Sequence, residues 1–456
     1  MVGLGRSGIG AAKLLAKNGF EVIVLEQSKT VELISIAGKL RQQTVKVQLG
    51  KALQISSFLP WMERLEAVVL SPGIDWKHPV INELRRLGVK VKGEITLAWE
   101  ELKNQKWIGI TGTNGKTTVS HMMNHILQSN NFETEMGGNV GYSATEIALK
   151  CKESNKSPQL LVMELSSYQL ETAPDIKPYI GIWTTLTEDH LERHGTLEEY
   201  IKIKKNLLDN SNICIYNYDD KYLRSQKKIL KEGIWISRFC ESNSNNNVNI
   251  WIDSKGVINN KKRQLFDTSN LPIRGDHNLQ NLLLVTAAAI EIGIPAENIH
   301  ESFKSFKSIP HRLEELADIK GIQIFNDSKA TNYNASTVGI KAVKGSIVLI
   351  CGGILKEGNP DEWIEELNTK VCGIILYGES KYRLKDILDN SNVKIEIKVT
   401  EDLDKAVSIG MELAIQTKAK TLLFSPACSS FDQYKNFEER GDDFKRIVTK
   451  YGQEPW

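Results

Sequence analysis

Trp107-Ile-Gly-Ile-Thr-Gly-Thr-Asn-Gly-Lys-Thr-Thr118 decides how this chain is read: an apolar strand runs into a glycine-bearing loop, and a helix begins near Lys116. A loop of this composition is a nucleotide phosphate cradle. Gly112 and Gly115 let backbone N–H groups close on phosphate oxygens, Lys116 adds a point charge, and the Thr117 hydroxyl can hold Mg²⁺ at a helix N-terminus. The general phosphate-loop pattern sets a further glycine five positions ahead of the Gly-Lys pair; Ile110 holds that place, so the loop is tighter than most. A glycine–asparagine turn beside an unrelated lysine is the alternative, and it leaves the order strand, loop, Lys-Thr, helix unexplained.

Outward from that loop, 456 residues leave room for about three domains, each with its own core. Hydrophobic residues at 41% and charged residues at 25% place the chain among ordinary globular proteins. A formal charge of +2, with basic and acidic residues interleaved, argues against a nucleic-acid partner. The six cysteines (151, 214, 240, 351, 372 and 428) make no Cys-x-x-Cys pair, which favours reduced thiols. No apolar run approaches membrane-spanning length and no signal-peptide pattern opens the chain, so a cytoplasmic protein without a membrane partner is expected.

The N-terminus reads Val2-Gly-Leu-Gly-Arg-Ser-Gly-Ile-Gly10, then a helix closed by Gly19, then a strand Phe20 to Leu25 with Glu26 at its end. A glycine fingerprint with a downstream acid suggests a dinucleotide fold, although alone it is weak evidence for NAD. The strand that should precede it is reduced to Met1-Val2, so either the fold lacks most of that strand or the true start lies upstream. The loop is a pyrophosphate seat or a tight strand-to-helix turn. Val68-Val-Leu-Ser-Pro-Gly-Ile74 is a second strand ending at a crevice edge, and this unit closes near residue 93.

Past the phosphate loop, Gly137-Gly-Asn-Val-Gly141 offers Asn139 as a ligand-binding amide or a turn cap. Leu160-Leu-Val-Met-Glu-Leu-Ser166 is a buried-type strand with Glu164 at its C-terminal end, where a parallel sheet gathers metal and phosphate. Thr187-Glu-Asp-His190-Leu-Glu-Arg-His194 follows the next strand as a His–carboxylate cluster, or as plain capping groups. In the helix after it, Leu197, Tyr200, Ile201, Lys204, Leu207 and Leu208 share one stripe while Lys202 and Lys205 point away. Lys204 therefore lies among core residues. A buried amine has a lowered pKa and can take up CO₂ as a carbamate, whereas a snorkelling lysine would keep its charge in water. Residues 235–262 read as irregular, with the asparagine-rich tract 241–249 a surface loop without chemistry. Gly275-Asp-His-Asn-Leu-Gln-Asn281 leads into an alanine-rich helix, and Ile309-Pro-His-Arg312 marks a domain joint. Beyond it, strands at 322–326, 347–351, 373–377, 393–399 and 421–425 alternate with helices, and the polar loops after the first, second and last lie where parallel sheets bind ligands.

Taken together, the 111–118 loop with its missing first glycine, Glu164-Leu-Ser-Ser, Glu188-Asp-His190, Tyr200-x-x-x-Lys204, Gly275-x-His-Asn-x-x-Asn281, His311-Arg312, Asn326-Asp-Ser-Lys-Ala-Thr331 and Ser425-Pro-Ala-Cys-Ser-Ser-Phe-Asp-Gln-Tyr-Lys-Asn-Phe-Glu-Glu-Arg-Gly441 resemble the Mur ligases. The resemblance runs from about residue 3 to 441 and is specific in combination. It implies an α/β protein of three domains: a Rossmann-like one at 1–93 for a UDP-linked substrate, a central phosphate-loop ATPase with a parallel sheet at 94–310, and a Rossmann-like one at 311–456 for the amino acid. The closing stretch resembles the members that use ATP to join D-glutamate to UDP-N-acetylmuramoyl-L-alanine in peptidoglycan synthesis, acting as monomers. It implies Lys116, Glu164, His190 and Lys204 as catalytic groups. Thr117 would ligate one Mg²⁺, and Glu164, His190 and a carbamylated Lys204 a second. Gly112, Thr113, Asn114, Gly115, Lys116, Thr117 and Thr118 would surround ATP with Asn281, Arg312, Asp327 and Lys329. Gly5, Ser71 and Gly73 would take the uridine nucleotide, Asn139 and Ser166 the muramoyl part, and Thr331, Lys356, Ser430 and Phe437 the D-glutamate.

Four other readings compete. A folylpolyglutamate synthase shares such an ATPase core but has no need of the N-terminal uridine unit. A sister ligase for a diamino acid would carry Asp-Asn-Pro-Arg, which this sequence lacks. An NAD-dependent dehydrogenase leaves the phosphate loop unexplained, and a non-catalytic nucleotide switch would not turn ATP over.

Overall fold

The computed structural model describes residues 1–239, 247–261, 263–273, 275–307, 309–356, 358–391 and 393–453. Contacts divide the chain into two compact units, Met1–Leu271 with His277–Phe306, and Pro272–Asp276 with Lys307–Trp456.

In the first unit, strands Ile23–Glu26 and Lys46–Leu49 pair in parallel, as do Ala67–Leu70 and Lys90–Gly93. Val2 lies between the two pairs and bridges both Leu25 and Leu70 in parallel. Its N–H donates to the Val69 carbonyl at 2.9 Å, and Gly3 N–H to the Leu25 carbonyl at 2.9 Å. Val2 thus joins the two pairs into one parallel arrangement of five chain passes. Its apolar residues Val2, Leu25, Val68 and Leu70 are buried in a common cluster with Ile81 and Leu84 of the helix Pro79–Arg86.

The same unit holds a nine-stranded sheet in the order Gln264–Asp267, Val257–Asn260, Ile250–Ile252, Ile234–Ser237, Ile213–Asn217, Ile180–Trp183, Lys106–Thr111, Leu160–Glu164, Thr134–Gly138. The seven strands from Ile250–Ile252 to Thr134–Gly138 are parallel, and every residue of Leu160–Glu164 and Ile180–Trp183 is buried, as central strands covered on both faces require. The stretch 235–262, expected to be irregular, instead supplies three strands, Ile234–Ser237, Ile250–Ile252 and Val257–Asn260; the last two run antiparallel and turn through Asp253-Ser-Lys-Gly256, where the Asp253 carboxylate accepts from Lys255 and Val257 N–H, and Gln264–Asp267 follows antiparallel at the edge. Residues 240–246 of that stretch lie outside the described residues. Where the two sheets of this unit meet, Gly93 N–H donates to the Thr172 carbonyl at 3.1 Å, and a Cβ at Gly93 would stand 2.0 Å from the Thr172 hydroxyl. Only glycine permits so close a seam.

The second unit is a six-stranded sheet in the order Glu314–Ile319, Ile322–Asn326, Thr421–Phe424, Ile347–Gly352, Val371–Tyr377, Glu396–Val399. All neighbours are parallel except the first pair, which turns through Lys320 and Gly321, both at positive φ. That edge strand, Glu314–Ile319, was not expected from the sequence; the other five were. No helix among the described residues is long and apolar enough to cross a membrane.

Candidate active site

Strand Lys106–Thr111 delivers the loop, and Gly115 caps helix Lys116–Ser129 in a left-handed conformation at φ +83°. A Cβ there would stand 2.8 Å from Asn281 Oδ1, so the buried Asn281, in helix Asp276–Ile292, is packed against the loop it was expected to serve. Lys116 Nζ donates to the carbonyls of Gly112 (2.8 Å) and Thr113 (2.9 Å). The loop is held from outside by Asn114 N–H donating to Thr185 Oγ1 at 2.8 Å and by the Thr113 hydroxyl, 3.2 Å from Tyr200 Oη. Thr117 is buried and Thr118 half-buried at the helix start.

Lys204 sits in helix Leu197–Asp209 and is 1% exposed, which excludes the snorkelling alternative. Its Nζ donates to Thr111 Oγ1 at 3.2 Å and to the Gly112 carbonyl at 3.0 Å, and lies 4.7 Å from the centre of the Tyr200 ring. Both acceptors are neutral. Burial drives its ammonium pKa well down, Lys116 pushes the same way, and Asp189 and Glu164 pull against them. The two lysines thus share the Gly112 carbonyl, and the charge on one disfavours the charge on the other.

Glu164, 2% exposed, pairs in register with Ile110 at the end of the loop's own strand. Its Oε1 accepts from Asn139 Nδ2 at 2.9 Å and its carbonyl from Asn139 N–H at 2.8 Å, which fixes the glycine loop at 137–141. His190 stands in a left-handed conformation at the start of helix Leu191–His194, half exposed, with Nδ1 3.2 Å from Tyr168 Oη and Asp189 and Glu192 at 3.5 and 3.6 Å. His194 is different: buried, with Nε2 2.9 Å from Ser167 Oγ, its pKa lowered to about 4 chiefly by burial. It is a neutral packing group. Among the described residues no three His, Cys, Asp or Glu side chains cluster as a metal site. A hydroxyl at Thr117 and a buried carboxylate at Glu164 are nonetheless the hard oxygen donors that suit Mg²⁺ beside phosphate, to which His190 would add a borderline nitrogen donor.

Gly5, Ser71, Gly73 and Asn139 line one cavity of about 430 Å³ with Arg6, Glu26 and Gln169. Glu26, the acid downstream of the glycine fingerprint, accepts from Leu4 N–H and Ser28 N–H, each at 2.8 Å, and so shapes the glycine loop. Ser166 does not line this cavity. Its hydroxyl donates to Gln169 Oε1 at 3.1 Å and caps helix Ser167–Glu171, and Gln169 lines the cavity wall. A larger cavity, about 740 Å³, lies against Met1, Ile23, Ala67 and Lys90 at the N-terminal ends of the strands and holds none of the candidate residues.

On the second unit, the three polar loops follow adjacent strands and are tied together by Arg440, fully buried in helix Phe437–Gln453. Its guanidinium donates to Ser328 Oγ (3.0 Å), Ser328 carbonyl (2.7 Å) and Cys428 carbonyl (3.0 Å). Asp327 accepts from Ser425 Oγ at 2.8 Å, and burial pushes its carboxyl up to about 7 against the pull of that bond and of Arg312. Lys329 Nζ lies 4.9 Å from the centre of the Phe437 ring. Ile354 and Ser429 exchange backbone hydrogen bonds at 2.9 Å, which brings the exposed Lys356 and the buried Ser430 to neighbouring chain passes; Thr331 is half-buried on the first loop.

A family profile described as the Mur ligase middle domain matches residues 110–289, and one described as the MurD-like N-terminal domain matches residues 1–93. A Prochlorococcus marinus protein named UDP-N-acetylmuramoylalanine–D-glutamate ligase is 50% identical over 448 residues, spanning 98% of this chain and 95% of its own. The chain belongs to the Mur ligase family. The fold of this Mur ligase also matches UDP-N-acetylmuramate–alanine ligase of Thermotoga maritima (TM-score 0.60, 16% identity, 99% and 98% of the two chains). It matches a Mycobacterium tuberculosis folylpolyglutamate synthase complexed with ADP and AMPPCP as well (TM-score 0.56, 12% identity, 79% and 94%).

Three groups around this Mur ligase's site escaped the sequence reading. Gln169 was a wall residue hidden inside the Glu164-Leu-Ser-Ser motif's helix, and a Ser-x-x-Gln capping box was the available signal. Arg193 donates to Glu171 Oε2 (3.0 Å) and to the Ile74 carbonyl (2.8 Å), pinning the Pro-Gly crevice turn; nothing local in the sequence pairs residues 119 positions apart. Arg440 was quoted only as part of a motif, and its carbonyl acceptors, Ser328, Gly352 and Cys428, come from three separate loops.

Proposed function

We propose that this Mur ligase uses ATP to join D-glutamate to UDP-N-acetylmuramoyl-L-alanine, releasing ADP and phosphate. The observation that carries the choice of substrates is identity of one half, over nearly the whole chain, to a relative whose name states that reaction. The folylpolyglutamate alternative shares the fold only, at 12% identity. The domains we propose are 1–93, 94–310 and 311–456, in a cytoplasmic monomer; the described cysteines are free thiols, in keeping with a reducing compartment.

The chemistry follows from charge. A substrate carboxylate and an ATP γ-phosphate repel, and Lys116 at the loop lowers that repulsion. Carboxylate oxygen attacks phosphorus, the P–O bond to ADP breaks, and an acyl phosphate forms. The D-glutamate amine, as the free base, then attacks the acyl carbon; its C–N bond forms, the amine proton leaves, and phosphate departs with the carboxylate oxygen that attacked. Two Mg²⁺ ions, one on Thr117 and one on Glu164, His190 and Lys204, would neutralise phosphate oxygens when bound. Lys204 reaches that role by carbamylation: its neutral amine adds to CO₂, loses a proton and becomes an anion. The burial that lowers its pKa favours this reaction. Gly5, Ser71, Gly73, Asn139 and Gln169 hold the UDP-linked substrate, Asn281, Arg312, Asp327 and Lys329 serve ATP, and Thr331, Lys356, Ser430 and Phe437 serve D-glutamate.

The test is phosphate release with UDP-N-acetylmuramoyl-L-alanine and ATP, comparing D-glutamate with L-glutamate, L-lysine and diaminopimelate. Release only with D-glutamate is expected. A rate with any of the other three overturns the assignment.

A further inference from the structure

Glu94 opens helix Glu94–Leu102, directly after strand Lys90–Gly93, and is fully buried at 0% exposure. Its Oε1 accepts from Gln169 Nε2 at 3.1 Å. The other end of that amide, Gln169 Oε1, accepts from Ser166 N–H and Ser166 Oγ, each at 3.1 Å. An amide flipped end for end would set its oxygen against the Glu94 carboxyl and its NH₂ against the Ser166 N–H, so the acceptor at Glu94 decides which way Gln169 faces. An amide nitrogen carries two N–H groups. One is given to Glu94; Gln169 lines the 430 Å³ cavity, and the second N–H is the donor its amide has left for a carbonyl or phosphate oxygen.

We propose that Glu94 is a positioning residue: it locks the amide of Gln169 so that the cavity wall presents an N–H donor to the muramoyl substrate, and through the same amide it holds the Ser166 turn. The inference rests on the reading that this cavity takes the UDP-linked substrate. Glu94 is the first residue past the Gly93 seam, where the N-terminal strands meet the Thr172 turn, so it joins the sheet that carries Gly5 and Ser71 to the helix that carries Gln169. Its second oxygen, Oε2, is buried without a hydrogen-bond partner among the described residues. Burial pushes the carboxyl up to about 7, with the Gln169 N–H and Arg6 drawing it back and Glu146 raising it. A buried acid that packs no better than a methionine and keeps one oxygen unpaired is costly unless it serves a purpose.

Steady-state kinetics and thermal melts of E94M, E94D, E94Q and Q169A test this. E94M removes the acceptor and E94D withdraws it; both are expected to raise the KM for UDP-N-acetylmuramoyl-L-alanine about tenfold, with kcat and the KM for ATP within about threefold. E94Q keeps an acceptor and recovers most of that loss. In a Q169A background E94M adds little, because the group it positions is gone. Should E94M not fold, the contrast of E94D with E94Q carries the same comparison. Parental KM in E94M and E94D while Q169A raises it overturns the positioning role; a Q169A variant with parental KM overturns instead the assignment of the cavity. Equal loss in kcat and both KM values, tracking the melting temperature, makes Glu94 a packing residue and overturns the proposal.

Discussion

Lys204 concentrates the chemistry into one side chain. Its place on an apolar stripe was legible because helical periodicity puts residues 197, 200, 201, 204, 207 and 208 on one face. What it touches was not: Thr111 and Gly112 lie more than ninety positions away, and no local pattern records a contact across two strands of a sheet. A buried amine between two neutral oxygens is disfavoured as a cation by burial and by Lys116. Replacement by alanine removes the amine, and with it the proposed carbamate. Lys204→Ala is therefore expected to lower kcat by about 100-fold, with short-chain carboxylic acids in the assay restoring about tenfold of it. A variant as active as the parent would end the carbamate account. Glu94 and Asp327 illustrate the opposite limit of legibility, since both are acids whose burial only the folded chain reveals.

Elements were read best where one physical signal dominates. Helix Lys116–Ser129 and strand Ile322–Asn326 fall where the glycine loop and the apolar run place them. Strands Ile250–Ile252, Val257–Asn260 and Gln264–Asp267 were missed because each is three or four residues long, too short for a period of two to register, and the last two are also half polar. The hairpin at Lys320-Gly321 was missed because it lacks the Asn-Gly or Asp-Gly signal. The loop-to-helix junction makes its own prediction. Gly115 at φ +83° with Asn281 Oδ1 2.8 Å from any added Cβ leaves no room and no comfortable backbone for alanine. Gly115→Ala is expected to cost about 1 kcal/mol in backbone strain alone, and to raise the KM for ATP by more than about tenfold. The KM for the muramoyl substrate, whose cavity Gly115 does not line, stays within about twofold. Unchanged ATP kinetics would contradict the reading of this loop as the phosphate cradle.

At the scale of the whole molecule, alternation of strands and helices gave the α/β class, and the Pro-bearing joint at 309–312 lies close to Lys307, where the longer segment of the second unit begins. The N-terminal strands do not separate from the central sheet by contacts, because the Gly93 seam and the Arg193 clamp bind them to the same unit. Residues assigned to one reaction are drawn from both units: Lys116, Lys204 and Glu164 on the first, Asp327, Lys329 and Ser430 on the second. The proposed reaction has a carboxylate capture a phosphoryl group before an amine displaces it. Labelling both carboxyl oxygens of UDP-N-acetylmuramoyl-L-alanine with oxygen-18 and weighing the phosphate released with ATP and D-glutamate tests that step directly. One labelled oxygen in each phosphate is the result expected; phosphate that leaves unlabelled while the amide still forms would contradict the account.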